Sequence, residues 1–475
     1  MKKNLMMLFA MSHLFMAVKS FAQHDPYSGP QWRGSKNKHK DADSASLLFA
    51  FRQGEFHGHF RNFFMSTINE KGLTDYYANA VGGGLRYETA PFKGFQFAIS
   101  GYFTHNLFSS DLASKDSTTG ASNRYETGLF DIEDPGNKHD LDRLEELYLR
   151  YNFGKNRVTI GKQILRSPFI NPQDGRMRPT EIDGMYGEFI PSSRLNINAG
   201  WFYKISPRST VEWYSIGHSI GIYPQGLTPE GKPSAYKGAI KSAGIGLIQG
   251  NYRINKSFNV KFLEQFAENI FNTAWTQIDY ENILQKGKVF ASAQFTRQDP
   301  VGNGGNPNPN QTYFPKGTHS NIISTRIGWM EGNWQTSLNF TRISKGGRFL
   351  SPREWGRDPF FTFLPRERNE GFGDLNAYML KATRRLPEAH LIFDLGLGYY
   401  DLPDVKDFTH NKYGMPSYVQ TNAEIKYEFQ GLLRGLDLDI LYVYKANTGE
   451  IYNEPRFVIN KVNMSNINFV LNYHF

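Results

Sequence analysis

The sequence predicts an all-β fold: a closed antiparallel transmembrane β-barrel of about 18 strands, with short periplasmic turns and long extracellular loops. Three observations favour this fold class. Apolar and polar residues alternate with a period of two along most of the chain, the connections alternate between short and long, and the last predicted strand ends the chain on an aromatic residue, Phe475. A soluble sandwich could show the first of these features, but its last strand would rarely end the chain on an aromatic residue.

The alternation is clearest in the C-terminal strand. Its apolar face carries Ile467, Phe469, Leu471, Tyr473 and Phe475, and its polar face carries Asn466, Asn468, Asn472 and His474. Successive residues of a strand point to opposite sides of a sheet, so one face suits lipid and the other suits water. We interpret Phe469, Leu471, Tyr473 and Phe475 as an assembly signal for the barrel-assembly machinery of an outer membrane.

The polar faces of the upstream strands often carry charged residues. Arg61 lies on the face opposite Phe56 and Phe60, and Arg150 lies opposite Leu147 and Leu149. A soluble core could not hold such charges without partners, whereas a lumen filled with water can. In lipid every backbone polar group must also be paired, and strands achieve this by closing the sheet.

Composition narrows the class of protein further. The 475 residues include no cysteine, which removes disulfides and thiolate metal sites. A mean hydropathy of -0.52 argues against a helical membrane protein. The net charge of +9 fits an anion-attracting lumen or contact with lipopolysaccharide better than nucleic-acid binding, because no compact basic motif is present.

The N-terminus predicts export. Lys2 and Lys3 precede an apolar run over residues 5–18 that is too short to span a membrane, and Ala22 offers a small residue at the cleavage position. We therefore predict a signal peptide over residues 1–22, a periplasmic extension over 23–44 and the barrel over 45–475. The predicted location is the outer membrane of a Gram-negative bacterium.

The connections alternate in length, which sets the strand count. Short turns are predicted at residues 90–94, 154–157, 191–194, 331–333, 387–390 and 431–435. Long polar loops are predicted at residues 106–143, 166–183, 204–237, 299–320 and 345–374. Counted over all predicted strands, residues 166–183 form the third extracellular loop and residues 345–374 form the seventh, and both are expected to fold inward.

These two loops hold the candidate functional residues. The third loop contains Arg166, Arg176 and Arg178 with Asp174, and its prolines favour a stiff conformation. The seventh loop contains Arg353, Arg357, Arg366, Arg368 and Glu367, with more aromatic residues than a solvated loop needs. Arginines opposite carboxylates in a constriction offer bidentate sites for carboxylate or phosphate solutes. For any single residue, bracing the loop against the wall is an equally good interpretation.

The stretches GKQILRSPFINPQDGRMRP (161–179) and SPREWGRDPFFTFLPRERNEGFGD (351–374) resemble the OprD-type family of outer-membrane porins. The resemblance implies an 18-stranded barrel, monomeric or a loose homotrimer, with a pore narrowed by the third and seventh loops. It also implies uptake of small carboxylate-bearing solutes along a ladder of basic residues. Candidates for this ladder are Arg61, Arg150, Arg326, Lys381 and Arg385, while Glu146, Asp394 and Glu424 leave the net lumen charge open.

The resulting hypothesis is a passive, substrate-selective channel for anionic or zwitterionic solutes such as amino acids or organic acids. Arg176, Arg178, Arg353 and Arg366 are expected at the constriction, opposed by Asp174 and Glu367. The alternatives are an outer-membrane enzyme with an active site at the rim, and a plugged receptor or adhesin. No catalytic constellation, cofactor motif or metal site is predicted, since His57 and His59 lack a clear third ligand.

Overall fold

The computed structural model describes residues 44–173 and 175–475. The predicted signal peptide, nearly all of the predicted periplasmic extension, and Asp174 lie outside the described residues. No helix in the described part of the chain is long and apolar enough to cross a membrane.

Eighteen long strands form one antiparallel sheet that closes on itself. The strands are β1 Glu55–Ile68, β2 Tyr76–Glu88, β3 Phe95–Ser109, β4 Arg143–Phe153, β5 Asn156–Gln163, β6 Glu181–Ser192, β7 Leu195–Ser206, β8 Ile245–Arg253, β9 Phe258–Ala267, β10 Phe271–Leu284, β11 Gly287–Pro300, β12 Ser320–Glu331, β13 Trp334–Ile343, β14 Leu375–Leu386, β15 Leu391–Asp401, β16 Tyr418–Glu428, β17 Leu436–Asn447 and β18 Met464–His474. Each pairs with its neighbours in the sequence, and β1 pairs with both β2 and β18, with Phe60 opposite Tyr473. The predicted fold class is confirmed.

The outward faces of the strands are apolar and the inward faces polar, as the alternation predicts. Leu85 and Leu338 stand on the outside and are 61% and 62% exposed. Thr296 and Gln420 point inward and are buried. A surface of exposed apolar side chains is stable only against lipid, so the alternation itself defines a membrane-facing wall.

The connections divide the barrel into two ends. Nine connections, L1 to L9, lie at one end, here called the loop end. They cover residues 69–75, 110–142, 164–180, 207–244, 268–270, 301–319, 344–374, 402–417 and 448–463. The connections at the other end, the turn end, hold two to seven residues each. L3 and L7 correspond to the predicted third and seventh loops.

Short helical segments accompany the strands. Helix α1, Leu47–Arg52, precedes β1 at the turn end, and helix α2, Ile216–Ser219, lies within L4 after a two-residue strand, Tyr214–Ser215, that pairs with β7. Single 3-10 turns occur at Glu126–Leu129, Pro309–Gln311, Pro387–Ala389, Gly431–Leu433 and Pro455–Phe457. The first barrel strand thus begins at Glu55, with α1 occupying the start of the predicted 45–475 segment.

Loops pack inside the barrel on the loop-end half. Trp355 and Phe360 of L7 and Phe169 of L3 belong to one buried apolar cluster that also includes inward residues of the wall. The Trp355 Nε1 donates a hydrogen bond to Ser219 Oγ of α2 at 2.9 Å, so a polar partner is supplied to a side chain that is fully buried. The aromatic residues of L7 therefore anchor this loop inside the lumen.

Candidate functional site

L3 and L7 meet inside the barrel and are joined through Asn171. Its backbone N–H donates to Trp355 O at 3.2 Å, and its side-chain amide donates to Arg357 O at 3.0 Å. The Asn171 Oδ1 in turn accepts from the Arg357 N–H at 3.2 Å. Three hydrogen bonds of one buried residue make the two loops one unit, which fixes the position of the side chains they present.

This unit borders a cavity of about 120 Å³, which we call the arginine cavity. Seven arginines and one glutamate of the described residues line it, together with three aromatic rings. They are Arg124 and Tyr125 of L2, Arg176 of L3, Arg208 and Tyr223 of L4, and Arg353, Arg357, Phe363, Arg366, Glu367 and Arg368 of L7. The volume is that of about four liquid waters, so the cavity is narrow, and its charged lining is mainly cationic.

Two of these guanidinium groups, those of Arg366 and Arg368, donate to neutral acceptors. Arg366 donates from Nε to Asn466 Oδ1 at 2.7 Å and from Nη2 to Asn468 Oδ1. Arg368 donates from Nη1 to the backbone carbonyl of Gly356 at 2.7 Å. Amide and carbonyl oxygens orient a guanidinium without neutralising its charge, so the positive field of the arginines is retained.

Two further arginines lie against aromatic rings. The guanidinium carbon of Arg353 is 4.1 Å from the centre of the Tyr413 ring, and that of Arg357 is 4.3 Å from the centre of the Phe363 ring. A ring face stabilises a cation and fixes the plane of a guanidinium, again without cancelling its charge.

The nearby carboxylates of L7 are shared with buried lysines. Glu367 lies 2.7 Å from Lys445 Nζ and 3.9 Å from Arg124 Nη2, and Glu370 lies 2.9 Å from Arg353 Nε and 3.2 Å from Lys412 Nζ. Burial opposes ionisation of Glu367, but the charges of Lys445 and Arg124 outweigh it and lower the pKa of Glu367 to about 2. Glu367 is therefore ionised at neutral pH, yet most of its charge is taken up by Lys445.

The arginines repel one another across the cavity. Burial and the charge of Arg366 lower the pKa of Arg176 to about 9. Burial and the charge of Arg208 lower the pKa of Arg366 and of Arg368 to about 10. All three remain protonated at neutral pH, so their positive charges repel one another at the cavity.

The structure brings six of the predicted constriction residues together: Arg176, Arg353, Arg357, Arg366, Glu367 and Arg368. Arg178 is not among them, because its side chain is buried in the loop and donates from Nη1 to Leu141 O at 2.8 Å. Arg166 is exposed and does not line the arginine cavity; its carbonyl accepts from Gln249 Nε2 at 3.1 Å. Asp174 lies outside the described residues.

Sequence reasoning missed Arg124 and Arg208, which reach the cavity from L2 and L4. Each lies in a long loop whose path inside the barrel no spacing rule specifies. It also missed Lys445, which stands on β17 with its side chain fully buried against Glu367. The period-two alternation places Lys445 on the inward face opposite Tyr442 and Tyr444, so parity alone could have found it.

The predicted ladder residues face the lumen, but most of them are paired. Arg150 lies 2.8 Å from Glu88, Lys381 lies 3.8 Å from Asp394, and Arg326 Nη2 lies 3.9 Å from Asp279. Arg61 donates hydrogen bonds to Asn472 Oδ1 at 2.7 Å and to Arg176 O at 2.6 Å. Arg385 is half-buried on β14 close to the turn end.

Carboxylates balance much of the lumen below the arginine cavity. Glu146 lies 2.7 Å from Arg86, and Glu424 lies 3.2 Å from Lys426. The two lysines and three carboxylates on β14 to β17 form a mixed row that runs along the wall: Lys381, Lys426, Asp394, Glu424 and Asp439. The lumen therefore changes from strongly cationic at the cavity to nearly balanced towards the turn end.

The histidines of β1 do not form a metal site with other residues described. His59 Nε2 is 3.2 Å from Asn472 Oδ1 and its ring stacks on that of His474 at 4.6 Å, while His57 pairs with Glu55 at 3.5 Å. Within residues 44–173 and 175–475 no group of three or more His, Cys, Asp or Glu side chains could hold a metal ion.

Comparison with known proteins identifies the family. Residues 59–320 match the family described as outer membrane porin, OprD family, which is more than half of the chain. The chain belongs to the OprD family of outer-membrane porins, so the predicted family is confirmed. The matched segment includes L3 and ends before L7. No curated protein matches it by sequence.

Solved structures of this family share the fold. OccAB4 of Acinetobacter baumannii is 15% identical, with a TM-score of 0.68 over 89% of this chain and 98% of that one. OccK9 (OpdG) of Pseudomonas aeruginosa is 12% identical, with a TM-score of 0.70 over 90% and 99%. OpdK of Pseudomonas aeruginosa, whose structure contains vanillate, is 13% identical, with a TM-score of 0.66 over 90% and 99%. At these identities the likeness extends to the architecture alone.

Proposed function

We propose that this porin is a passive, substrate-selective diffusion channel for small carboxylate-bearing solutes such as amino acids or organic acids. The observation that carries the proposal is the arginine cavity, in which seven guanidinium groups from four loops surround a space of about 120 Å³. Guanidinium groups bind carboxylates in a bidentate manner and with charge-assisted hydrogen bonds. Such a site favours anions and anionic ends of zwitterions over neutral solutes of the same size.

The proposed path runs from the loop end, taken as extracellular, to the turn end in the periplasm. A solute exchanges its hydration shell for guanidinium groups in the arginine cavity and then reaches Arg61, which lies directly below L3 through its hydrogen bond to Arg176 O. Further steps pass Arg150, Arg326, Lys381 and Arg385. The pairing of Arg150, Arg326 and Lys381 with carboxylates keeps these contacts weak, and weak contacts are what allow a solute to leave.

We further propose that residues 1–22 are a cleaved signal peptide and that lipopolysaccharide contacts the outer rim of the barrel. The proposed assembly signal consists of Phe469, Leu471, Tyr473 and Phe475. In support, these four C-terminal side chains all stand on the lipid face of the wall. The working form is a monomer or a loose homotrimer, with no cofactor.

The test of the proposed solute class is to neutralise two arginines of the cavity. The double variant Arg176→Gln, Arg353→Gln should reduce the preference for anions, because it removes two positive charges from the lining of the arginine cavity. The measurement is the reversal potential of purified protein in planar bilayers under a salt gradient. Arg297→Gln is the matched control, since Arg297 lies on the outward face of β11 and pairs there with Asp299.

An unchanged reversal potential in the double variant, with the control also unchanged, would remove these residues from the constriction. The rival classes make different predictions for the same preparation. A rim enzyme or a plugged receptor would give no steady conductance, whereas a porin conducts ions whenever it is inserted.

A further inference from the structure

Helix α1 precedes β1 at the turn end, and its surface is almost entirely apolar. Leu47, Leu48, Phe49 and Phe51 are 58%, 61%, 47% and 47% exposed, and within the helix only Ala50 is buried. A surface helix of a water-soluble domain keeps its apolar residues on one buried stripe and its polar residues outside. We propose that α1 lies on the membrane surface, with the lipids of the adjacent leaflet as its partner. This contact does not depend on which solute passes through the channel.

Aromatic contacts join α1 to the lipid-facing wall. The Phe51 ring stacks on the Tyr87 ring with 6.4 Å between their centroids, and the Tyr87 ring lies 4.7 Å from that of Phe56. Phe56 stands on the outer face of β1, where it is 74% exposed and pairs with Tyr87 of β2. The exposed side chains of α1 therefore continue the surface that contacts the acyl chains, and this continuity favours lipid as their partner.

The turn end of the wall also carries a girdle of exposed aromatic side chains at the level of α1. Each member lies among the three strand residues nearest this end, and examples on six strands are Phe56, Phe95, Tyr151, Phe258, Trp334 and Tyr473. Aromatic side chains in this position mark the zone where the acyl chains meet the headgroups. Because α1 is bound beside Phe56, its leucine and phenylalanine side chains lie in the same zone.

Backbone hydrogen bonds tie α1 to the connection between β2 and β3. The Ala90 N–H donates to Ala50 O at 3.1 Å, and the Ser44 N–H donates to Pro91 O at 2.8 Å. The first bond holds the helix itself, and the second holds the chain three residues before the helix begins. The helix is therefore fixed at one height on the barrel, so its apolar side chains stay at one depth, as an interfacial anchor requires.

Gly54, between α1 and β1, permits this position of the helix. A Cβ added to Gly54 would collide with the ring of Tyr87. The Tyr87 hydroxyl donates to Phe51 O at 2.5 Å, so this side chain connects the wall to the end of the helix. The last carbonyls of a helix lack partners within it, and acyl chains offer none. Tyr87 therefore supplies a polar partner at a helix end that lies beside lipid.

The charges beside the apolar surface have the sign that phospholipid headgroups attract. Arg52 is the last residue of α1, and Lys93 lies in the connection to which the helix is bonded; both are exposed. Residues 44–54 include no acidic residue. Long basic side chains keep their aliphatic stems on an apolar surface and place their charges among anionic phosphates. The apolar side chains and the flanking cations together fit the boundary of a phospholipid leaflet.

The depth of α1 can be measured with a single probe, because the chain has no cysteine. Leu48→Cys is labelled with an environment-sensitive fluorophore, and the folded barrel is reconstituted in phospholipid vesicles. Two vesicle preparations contain lipids brominated near the carbonyl end or near the methyl end of the acyl chains. Iodide, which quenches from the aqueous phase, is added on both sides of the vesicle membrane.

Two matched variants carry the same fluorophore. Glu388→Cys lies in the exposed turn between β14 and β15 at the same end of the barrel and is the aqueous control. Leu338→Cys lies on the outer wall, at the fifth residue of β13, and is the control for the acyl-chain region. Identical labels separate the effect of position from any attraction of the fluorophore itself to lipid.

The Leu48 probe is expected to lose fluorescence to brominated lipid and to be protected from iodide, as the Leu338 probe is. The Glu388 probe should lose fluorescence to iodide alone. Because α1 lies at the surface, the ratio of quenching by the carbonyl-end lipid to quenching by the methyl-end lipid should be higher for Leu48 than for Leu338.

Three results would overturn the proposal. Quenching of the Leu48 probe by iodide to the extent seen for Glu388 would place α1 in water. Protection from iodide without quenching by either lipid would assign the surface to protein, either the residues before Ser44 or a second molecule. A quenching ratio equal to that of Leu338 would place the helix among the acyl chains and not at the membrane surface.

Discussion

At the scale of single residues, Glu367 shows how a carboxylate is kept charged inside a cationic cavity. It is buried, its Oε2 lies 2.7 Å from Lys445 Nζ, and the Lys445 side chain has no exposed surface. Burial alone would favour the neutral acid, whereas the surrounding cations lower the pKa of Glu367 to about 2. Lys445 also donates to Arg366 O at 2.9 Å, so one lysine fixes both the acid and the backbone beside it.

Removing one member of this pair is expected to loosen L7. Lys445→Met leaves a buried carboxylate without its main partner, and breaking a buried pair in this way costs about 3–5 kcal/mol. The measurement is limited proteolysis of the folded barrel, with cleavage expected within residues 344–374. The double variant Lys445→Met, Glu367→Gln should recover most of the resistance, and no recovery would show that the ion pair is not what holds the loop.

At the scale of elements, a glycine in the wall makes room for L3. A Cβ added to Gly82 of β2 would lie 2.6 Å from Phe103 O and 2.9 Å from Met177 Cε of L3. Met177 is fully buried, in contact with the wall at this position. The close approach of a loop from inside the barrel therefore favours a glycine at this position of the wall.

A methyl group at Gly82 should displace L3. Gly82→Ala is expected to lower the free energy of unfolding by about 1–3 kcal/mol through overpacking and to change the single-channel conductance. Gly101→Ala on the neighbouring strand is the control, because its Cβ would have 3.7 Å to the nearest atom, Arg143 O. Equal effects of the two substitutions on conductance would contradict a specific role of Gly82 in seating the loop.

At the scale of the whole molecule, closure of the sheet joins its first strand, β1, to its last strand, β18. The last residue takes part, since Phe475 N–H donates to Gly58 O at 3.1 Å and Gly58 N–H donates to Phe475 O at 2.9 Å. The Phe475 ring lies over Gly58 and stacks on Phe60 with 5.9 Å between centroids. A side chain at position 58 would collide with this ring, so the glycine and the terminal aromatic residue belong together.

Loss of the terminal ring should impair formation of the closed barrel. Phe475→Ala is expected to reduce the yield of folded protein in the outer membrane severalfold while leaving the conductance of the folded fraction unchanged, because Phe475 faces lipid. The yield is measured by the heat-modifiable mobility of the barrel in gels. An unaltered yield would remove Phe475 from the proposed assembly signal.

The charge balance of the whole pore should depend on pH. Burial raises the pKa of Glu126, of Glu354 and of Asp358, so these acids lose their charge as the pH falls from neutral, while Glu367 and the arginines keep theirs. The preference for anions is therefore expected to rise between pH 7.5 and pH 5, read from reversal potentials. The variant Glu126→Gln, Asp358→Asn should show a smaller rise, and a fall in anion preference would contradict the assignment.

The alternation of residues along the strands allowed the inward and outward faces of most of the wall to be predicted. This prediction failed where the register of the strand pairing shifts. Arg61 and Arg326 face the lumen as alternation requires. In β4, however, both Glu145 and Glu146 are buried, because a register shift between Ile99 and Gly101 of β3 turns two consecutive residues inward. Glu145 then pairs with Arg143 at 2.8 Å. No local sequence signal marks this bulge.

The sequence by itself determined the closed barrel, which face of each strand is apolar, and the order of the short and long connections. It also determined that L3 and L7 are rich in arginine. These follow from local chemistry, since lipid and water on opposite sides of a wall dictate each residue by parity. Only the tertiary structure decided which arginines share one cavity. Arg124 of L2 and Arg208 of L4 line it, whereas Arg178 does not and donates to Leu141 O. Loops are positioned by contacts between distant segments, as at Asn171 and Trp355, and such contacts are a property of the closed barrel as a whole.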